Sequence, residues 1–95
     1  MTYAPADSRI KVEQPDGKQL ADLKVKSWPT WTKEPSVFDW HYDEEEICYF
    51  LEGDVTVKTD QGEISIGKGD LVTFPKGLSC AWHVKQAVRK HYCFR

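Results

Sequence analysis

Short apolar segments, separated by turn residues at regular intervals, are the feature of this sequence that most constrains its fold. Turn signals recur about every 8–12 residues along most of the chain. Between them, eight Val, four Ile, six Thr and twelve aromatic residues far outnumber five Leu and five Ala, a balance that favours strands. About eight short strands in one small chain are typical of a sandwich or barrel. The predicted fold class is therefore all-β.

The chain length limits this fold to a single domain. It has 95 residues, and compact domains usually contain ~100–150 residues. Leu20 and Leu23 stand three positions apart, which leaves room for at most one short N-terminal helix. We expect residues 1–19 to form an N-terminal segment, consisting of a loose end and an edge strand. Residues 20–95 are expected to form the barrel.

Charge and cysteine content indicate which classes of partner to exclude and in which cellular compartment the protein is expected. The 13 basic and 15 acidic residues give a net charge of -2, and no stretch concentrates positive charge, so nucleic acid and membrane surfaces are not expected partners. No apolar run approaches the ~20 residues of a membrane span, and residues 1–5 lack the pattern of a signal peptide. Cys48, Cys80 and Cys93 match neither a disulfide framework nor a zinc knuckle. We therefore expect a cytoplasmic protein.

Alternation along the predicted strands selects the side chains that face the interior. After Pro35 the more apolar side of the strand consists of Phe38, Trp40 and Tyr42, and the other side of Val37, Asp39 and His41. The same rule gives three further inward sets: Glu46, Cys48 and Phe50; Cys80, Trp82 and Val84; Val88, Lys90, Tyr92 and Phe94. We predict that these sets meet inside the barrel.

Lys90 needs a partner in this position, because an unpaired buried charge is very costly. Glu46 is the expected partner. One interpretation is a structural ion pair beneath an aromatic core. Another is that both groups lie at the mouth of a pocket, where Lys90 attracts a carboxylate and aromatic walls cover a flat apolar body. A third is that the long lysine side chain extends to the rim.

The spacing between turn residues also resembles that of a known protein family. Six residues separate Glu46 from Gly53, and five separate Gly69 from Pro75-Lys76-Gly77. Longer strings strengthen it: Trp28-Pro29-Thr30-Trp31, Glu46-Ile47-Cys48-Tyr49, Phe74-Pro75-Lys76-Gly77-Leu78-Ser79-Cys80 and Val88-Arg89-Lys90-His91-Tyr92. Over residues 20–94 the chain resembles small single-domain cupins, which are RmlC-like jelly-roll barrels. Within them it resembles the subgroup labelled by similarity to the cupin domain of ureidoglycine aminohydrolase.

The resemblance also bears on metal binding. Metal-dependent cupins hold their ion with two His and a Glu in the first motif and a His in the second. Trp40 and Tyr42 fill the two first positions ahead of Glu46, in the register that alternation favours, and Cys80 fills the last. We therefore expect no metal and no other cofactor. A weak site at His41, Glu46 and Cys80 stays open, since imidazole, carboxylate and thiolate are acceptable zinc ligands.

Three functions follow as hypotheses. The first is a metal-free cupin that binds a small organic ligand, anionic and with a flat aromatic body, through Trp40, Tyr42, Glu46, Cys48, Phe50, Cys80, Trp82, Lys90 and Tyr92. The second is a small-molecule isomerase, lyase or hydrolase using Glu46, Lys90 or Cys80, with or without a divalent metal; ureidoglycine chemistry is implied by the family label alone. The third is a structural module that forms a homodimer through Trp28 and Trp31.

Overall fold

The chain enters the fold through a short strand and a capped helix. In the computed structural model, which describes residues 7–95, β1 (Lys11–Glu13) is followed by α1 (Gly17–Asp22) and a 3-10 turn (Val25–Ser27). The Asp16 side chain accepts a hydrogen bond from the backbone N–H of Gln19 at 2.9 Å, and the Gln19 side chain accepts one from the Asp16 N–H at 3.2 Å. This capping box defines where the short helix begins.

Six further strands build the sheet. They are β2 (Thr30–Lys33), β3 (Ser36–His41), β4 (Glu46–Thr59), β5 (Gly62–Gly67), β6 (Leu71–Phe74) and β7 (Ser79–Phe94). All pairings are antiparallel in the order β1-β6-β4-β7-β2, while β3 also pairs with β7 and β5 with β4. The two long strands β4 and β7 therefore form the centre of the fold. The all-β prediction, with at most one short helix, is confirmed.

Two strands are longer than the residue pattern alone indicates. Gly53-Asp54, a pair of residues typical of turns, lies inside β4 at a bulge in the pairing with β7. Gly53 has φ 124, and a Cβ there would lie 2.9 Å from the Cα of Val88, so both the conformation and the close approach require glycine. Likewise, β7 continues without interruption from Ser79 to Phe94.

The interior is apolar and rich in aromatic rings. The buried cluster comprises Ile10, Tyr42, Cys48, Phe50, Val55, Val57, Ile64, Ile66, Val72, Phe74, Leu78, Cys80, Trp82, Val84 and Val88. The alternation predicted for β3 holds in part: Val37 is 67% exposed and Tyr42, just past the strand, is 2% exposed, but Trp40, predicted to face inward, is 49% exposed. Glu46 and Lys90 are buried beside this cluster. Charged groups in such surroundings mark the place to look for a site.

A buried aspartate ties the N-terminal segment to the barrel. Asp7 is fully buried and accepts hydrogen bonds from Arg9 Nη2 at 2.6 Å and Thr59 Oγ1 at 2.8 Å. Residues 1–6, which belong to the predicted loose end, lie outside the described residues. From residue 7 onwards, the helices are all too short or too polar to cross a membrane.

Candidate functional site

A cavity of about 200 Å³ lies between β2, β3, the start of β4 and β7. Seven aromatic and two charged side chains line it: Trp31, Phe38, Trp40, Tyr42, Glu46, Trp82, Lys90, Tyr92 and Phe94. Such a mixture of apolar walls and a few polar groups is typical of small-molecule sites.

Strand register brings these side chains together. Three cross-strand pairs contribute to the lining: Trp31 with Lys90, Phe38 with Trp82, and Glu46 with Phe94. Residues directly opposite one another on antiparallel strands point to the same face of the sheet. Because β7 is a partner in every pair, this strand organises the cavity.

The two charged groups form the ion pair that alternation predicted. Lys90 Nζ lies 3.1 Å from Glu46 Oε1, and the two side chains are 5% and 6% exposed. Cys48 Sγ donates a hydrogen bond to the same Oε1 at 2.9 Å and accepts one from Lys90 Nζ at 3.2 Å. Both hydrogen bonds found for the Glu46 carboxylate within the described residues fall on Oε1, which leaves Oε2 free to accept from a ligand.

Aromatic rings enclose the lysine on its other sides. Lys90 Nζ is 4.8 Å from the ring centroid of Trp82, 5.0 Å from that of Trp31 and 5.9 Å from that of Phe50. A cation over an aromatic face is attracted by the quadrupole of the ring. The ammonium group is therefore fixed between one carboxylate and three rings.

Two polar atoms in the lining lack partners. Tyr42 Oη and Trp82 Nε1 are buried and have no hydrogen-bond partner among the described residues. Burial raises the pKa of the Tyr42 hydroxyl far above its ordinary value, so the group keeps its proton at neutral pH. Most buried polar groups in native proteins are hydrogen-bonded. Tyr42 and Trp82 thus carry two buried donors, one O–H and one N–H, that form no regular hydrogen bond among the described residues. The Trp82 side chain nevertheless lies close enough to Tyr42 and Cys80 to oppose in part the rise that burial causes in their pKa values.

The structure brings six of the nine predicted ligand-binding residues into the lining: Trp40, Tyr42, Glu46, Trp82, Lys90 and Tyr92. Cys48 lies behind Glu46 and Lys90, and Phe50 is fully buried beneath the lysine. Cys80 lines a different depression, beside His41. These three residues therefore lie outside the cavity lining.

Three lining residues were not among those predicted: Trp31, Phe38 and Phe94. Phe38 and Phe94 belonged to the inward sets given by alternation, so the signal for them was present in the sequence. For Trp31 the sequence left open whether it covers the barrel, packs in the core or lines a partner surface. Only the pairing of β2 with β7 shows that it lies opposite Lys90.

The buried thiols are protonated at neutral pH. Burial raises the pKa of Cys80 to about 11 and raises the pKa of Cys48 well above its usual range. The thiolate is the reactive form of cysteine. Neither residue therefore has the properties of a nucleophile in this environment.

Comparison with known families identifies the fold. The model of the EutQ-like cupin domain matches residues 20–92. The chain belongs to the EutQ-like cupin family. The predicted single cupin barrel is confirmed, while the ureidoglycine aminohydrolase label remains a prediction.

Solved structures support the assignment. A DUF861 family protein from Thermotoga maritima is 54% identical to this cupin, with 90% of this chain and 99% of that chain covered and a TM-score of 0.88. The EutQ protein of Clostridium difficile is 27% identical, covering 66% of this chain and 46% of that one, with a TM-score of 0.61. A putative ethanolamine utilization protein Q from Salmonella typhimurium is 22% identical, covering 90% of this chain and 68% of that one, with a TM-score of 0.64. At this identity it supports the fold alone. No curated protein matches the chain.

The side chains of this cupin do not fit the metal ion that many cupins hold. Indole and protonated phenol, from Trp40 and Tyr42, replace two imidazoles, and a protonated thiol, Cys80, replaces the third. Glu46 already accepts a hydrogen bond from the ammonium group of Lys90, whose positive charge would repel a second cation.

The alternative metal site at His41, Glu46 and Cys80 does not form either. His41 Nδ1 lies 2.7 Å from Ser79 Oγ on the exposed side of β3, whereas Glu46 is buried. No group of three or more His, Cys, Asp or Glu residues in the range 7–95 is arranged to hold a metal ion. A divalent site needs several oxygen, nitrogen or sulfur ligands around one point.

Proposed function

We propose that this cupin binds a small organic molecule with a flat apolar body and an oxygen acceptor. The observation that carries the proposal is the pair of unpartnered buried donors, Tyr42 Oη and Trp82 Nε1, in the lining of an aromatic cavity. An unsatisfied buried polar group costs about 1–3 kcal/mol. A ligand oxygen that accepted a hydrogen bond from either donor would reduce that cost.

The size and walls of the cavity restrict the ligand. An apolar cavity of ~150 Å³ can hold benzene, so the volume of about 200 Å³ accommodates one ring with a small substituent. Phe38 and Trp82 are stacked, with ring centroids 6.0 Å apart and an interplanar angle of 22°. Aromatic side chains in the lining favour a ligand with a planar ring, because aromatic rings prefer to contact each other by offset stacking or edge to face.

The charged pair of the cavity permits a ligand with an anionic or strongly polar group. Glu46 and Lys90 neutralise each other, so an anion meets no net negative charge. Lys90 has three N–H donors, and two of them serve Glu46 and Cys48. The third N–H supports binding of a carboxylate. We therefore expect small aromatic acids to be the preferred ligands.

Binding of benzoate to Tyr42→Phe tests this proposal. The substitution removes one hydroxyl that has no partner in the protein, and we expect benzoate affinity to fall about 5- to 10-fold, the effect of one hydrogen bond. Quenching of tryptophan fluorescence measures it, because Trp31, Trp40 and Trp82 line the cavity. Tyr49→Phe is the matched control, since Tyr49 lies outside the lining.

The proposal fails if no aromatic acid causes saturable quenching. For that result, acrylamide must quench the same tryptophans, which shows that they are accessible. Equal affinities of Tyr42→Phe and the parent protein would remove the specific role of the hydroxyl.

The Glu46–Lys90 pair supports a second candidate, an isomerase, lyase or hydrolase that moves a proton between substrate and carboxylate. The two groups share a 3.1 Å hydrogen bond at the cavity wall, and carboxylates are common general bases. Cys80 does not support this candidate, because its thiol is protonated and lies outside the lining. Ureidoglycine-type hydrolysis rests on the family label alone. Turnover that disappears in Glu46→Gln while binding persists would favour the enzyme.

Two further expectations remain proposals. Free Cys48, Cys80 and Cys93 support a reducing compartment such as the cytoplasm.

A homodimer is supported by the exposed side chains of Val37, Trp40 and Phe94. In the described residues β3 pairs with β7 alone, which leaves one edge of β3 for a second copy.

A further inference from the structure

Lys90 differs from every other lysine of this chain in its surroundings. It is the one buried lysine among the described residues, at 4% exposure, and it lines the cavity. The nine others are exposed or half-buried. An amine held in an apolar pocket is the setting in which lysines act as nucleophiles toward carbonyl carbon.

A proton acceptor lies in contact with this amine. An ammonium group has no lone pair, so a proton must leave before nitrogen can attack. Glu46 Oε1, 3.1 Å from Lys90 Nζ, can take that proton directly along an existing hydrogen bond. The neutral thiol of Cys48, 3.2 Å from Nζ, adds a further contact that holds the nitrogen in place.

We propose that Lys90 binds its ligand covalently, as a Schiff base with the carbonyl carbon of a small aromatic aldehyde or 2-oxo acid. This inference rests on the proposed function, because the carbonyl compound occupies the same cavity. It adds that the ligand carries a reactive carbonyl group, and that the amine is more than an electrostatic contact.

The reaction balances with the groups present. Glu46 takes one proton from the Lys90 ammonium, and the nitrogen lone pair forms a bond to the carbonyl carbon while the carbonyl π electrons move to oxygen. The oxygen takes the proton from Glu46, and the nitrogen gives a second proton to Glu46, which leaves a neutral carbinolamine.

The C–O bond then breaks. The nitrogen lone pair forms the C=N bond, and the hydroxyl takes the second proton from Glu46 and leaves as water. The product is a protonated imine beside an ionised Glu46. The buried ion pair is therefore present before and after the reaction, so no unpaired charge is left in the interior.

The oxygen that gains charge in the addition step needs hydrogen-bond donors. Tyr42 and Trp82 line the same cavity as Lys90 and carry an O–H and an N–H without a hydrogen-bond partner among the described residues, so we expect them to serve as these donors. Donors aimed at a developing oxyanion stabilise it most in a site that excludes water. The flat ring of an aromatic aldehyde would lie against the aromatic side chains of the lining, among them Trp31 and Phe38.

Reductive trapping tests the inference. The protein is incubated with benzaldehyde and sodium cyanoborohydride, and adducts are counted by intact mass and located by peptide mass spectrometry. We expect one adduct, on Lys90, to form before any of the nine other lysines reacts. In Glu46→Gln we expect adduct formation to slow about 100-fold, the lower end of general acid–base contributions.

Three variants control for fold and for general lysine reactivity. Lys90→Arg keeps the positive charge but has no nucleophilic amine, and Lys90→Met fills the space without charge; both are expected to lose the rapid adduct. Near-ultraviolet circular dichroism verifies that at least one of them is folded. Lys33→Arg is the matched control, because Lys33 also lies over an aromatic ring, 5.4 Å from the centroid of Phe38, and should leave the Lys90 adduct unchanged.

Benzoate, which has the same ring but no electrophilic aldehyde carbon, separates this inference from the proposed function. If benzoate binds saturably while benzaldehyde labels surface lysines and spares Lys90, covalent binding is wrong and the cavity remains a binding site. If benzoate does not bind and Lys90 is also unlabelled, both are wrong.

Discussion

At the scale of single residues, Glu46 and Lys90 depend on each other more than on the rest of the barrel. We expect Glu46→Gln and Lys90→Met each to lower the free energy of unfolding by about 3–5 kcal/mol, because each leaves one buried charge unpaired. The double variant should lose less than the sum of the two. Urea denaturation of the four proteins measures this coupling.

The Arg89–Glu52 pair provides the matched control. Its N–O distance is the same, 3.1 Å, but its side chains are 50% and 61% exposed. Removing either partner should change the free energy of unfolding by less than about 1 kcal/mol. Equal effects for the exposed and buried pairs would contradict the role given to burial.

Asp7 gives the fold a dependence on pH. Hydrogen bonds from Arg9, with one from Thr59, hold the pKa of Asp7 well below its usual range, although burial opposes the shift. A carboxylate with a lowered pKa in the folded state contributes its full stability above the unfolded pKa of about 3.9 and loses it as the pH falls further. Acid should therefore destabilise the parent protein more than Asp7→Asn.

Urea midpoints at about pH 7 and about pH 3 measure this difference, since the interval spans the unfolded pKa. Asp22→Asn, at an exposed position of α1, serves as the control and should keep the parental acid sensitivity. Identical sensitivity in Asp7→Asn would show that other carboxyl groups dominate.

At the scale of elements, the bulge in β4 fixes the register that builds the cavity. We expect Gly53→Ala to lower the free energy of unfolding by about 1–3 kcal/mol, because a φ of 124 is strained for alanine and its Cβ would lie 2.9 Å from Val88 Cα. Chemical denaturation measures the loss. Gly17→Ala is the matched control, because nothing lies within 4 Å of a Cβ there; equal stability of the two variants would contradict this account.

The same bulge shows where sequence reasoning about elements fails. A glycine followed by a polar residue serves a turn and a bulge equally well, so Gly53-Asp54 gave no means of choosing between them. The choice depends on Val88, which is far away in the sequence and approaches the glycine backbone only in the folded sheet.

The faces of the strands were predictable, in contrast, because alternation is a local property of the backbone. It placed Glu46 and Lys90 on the inward sides of their strands, and the ion pair is present. It could not place Trp31, because the register of β2 against β7 joins residues about sixty positions apart. Nor could it separate residues that line the cavity from those directly beneath it, such as Phe50.

At the scale of the whole molecule, the proposed homodimer predicts twice the monomer mass in solution. Val37→Glu should give a monomer, because it places a charge on the exposed face beside the free edge of β3. Light scattering coupled to size exclusion measures the mass. Ser65→Glu, on exposed β5, should leave the mass unchanged, and a parental protein that is monomeric at every concentration would contradict the proposal.

The continuity of β7 constrains how this barrel adapts to guests of different size. One ribbon of 16 residues is hydrogen-bonded to β2, β3 and β4 and supplies Trp82, Lys90, Tyr92 and Phe94 to the cavity. A movement of the β7 backbone to fit one ligand would disturb its hydrogen-bonded pairing with all three neighbouring strands. For the proposed ligand, we expect adjustment to its size to come from rotamer changes of Trp40 and Phe94, which are 49% and 45% exposed.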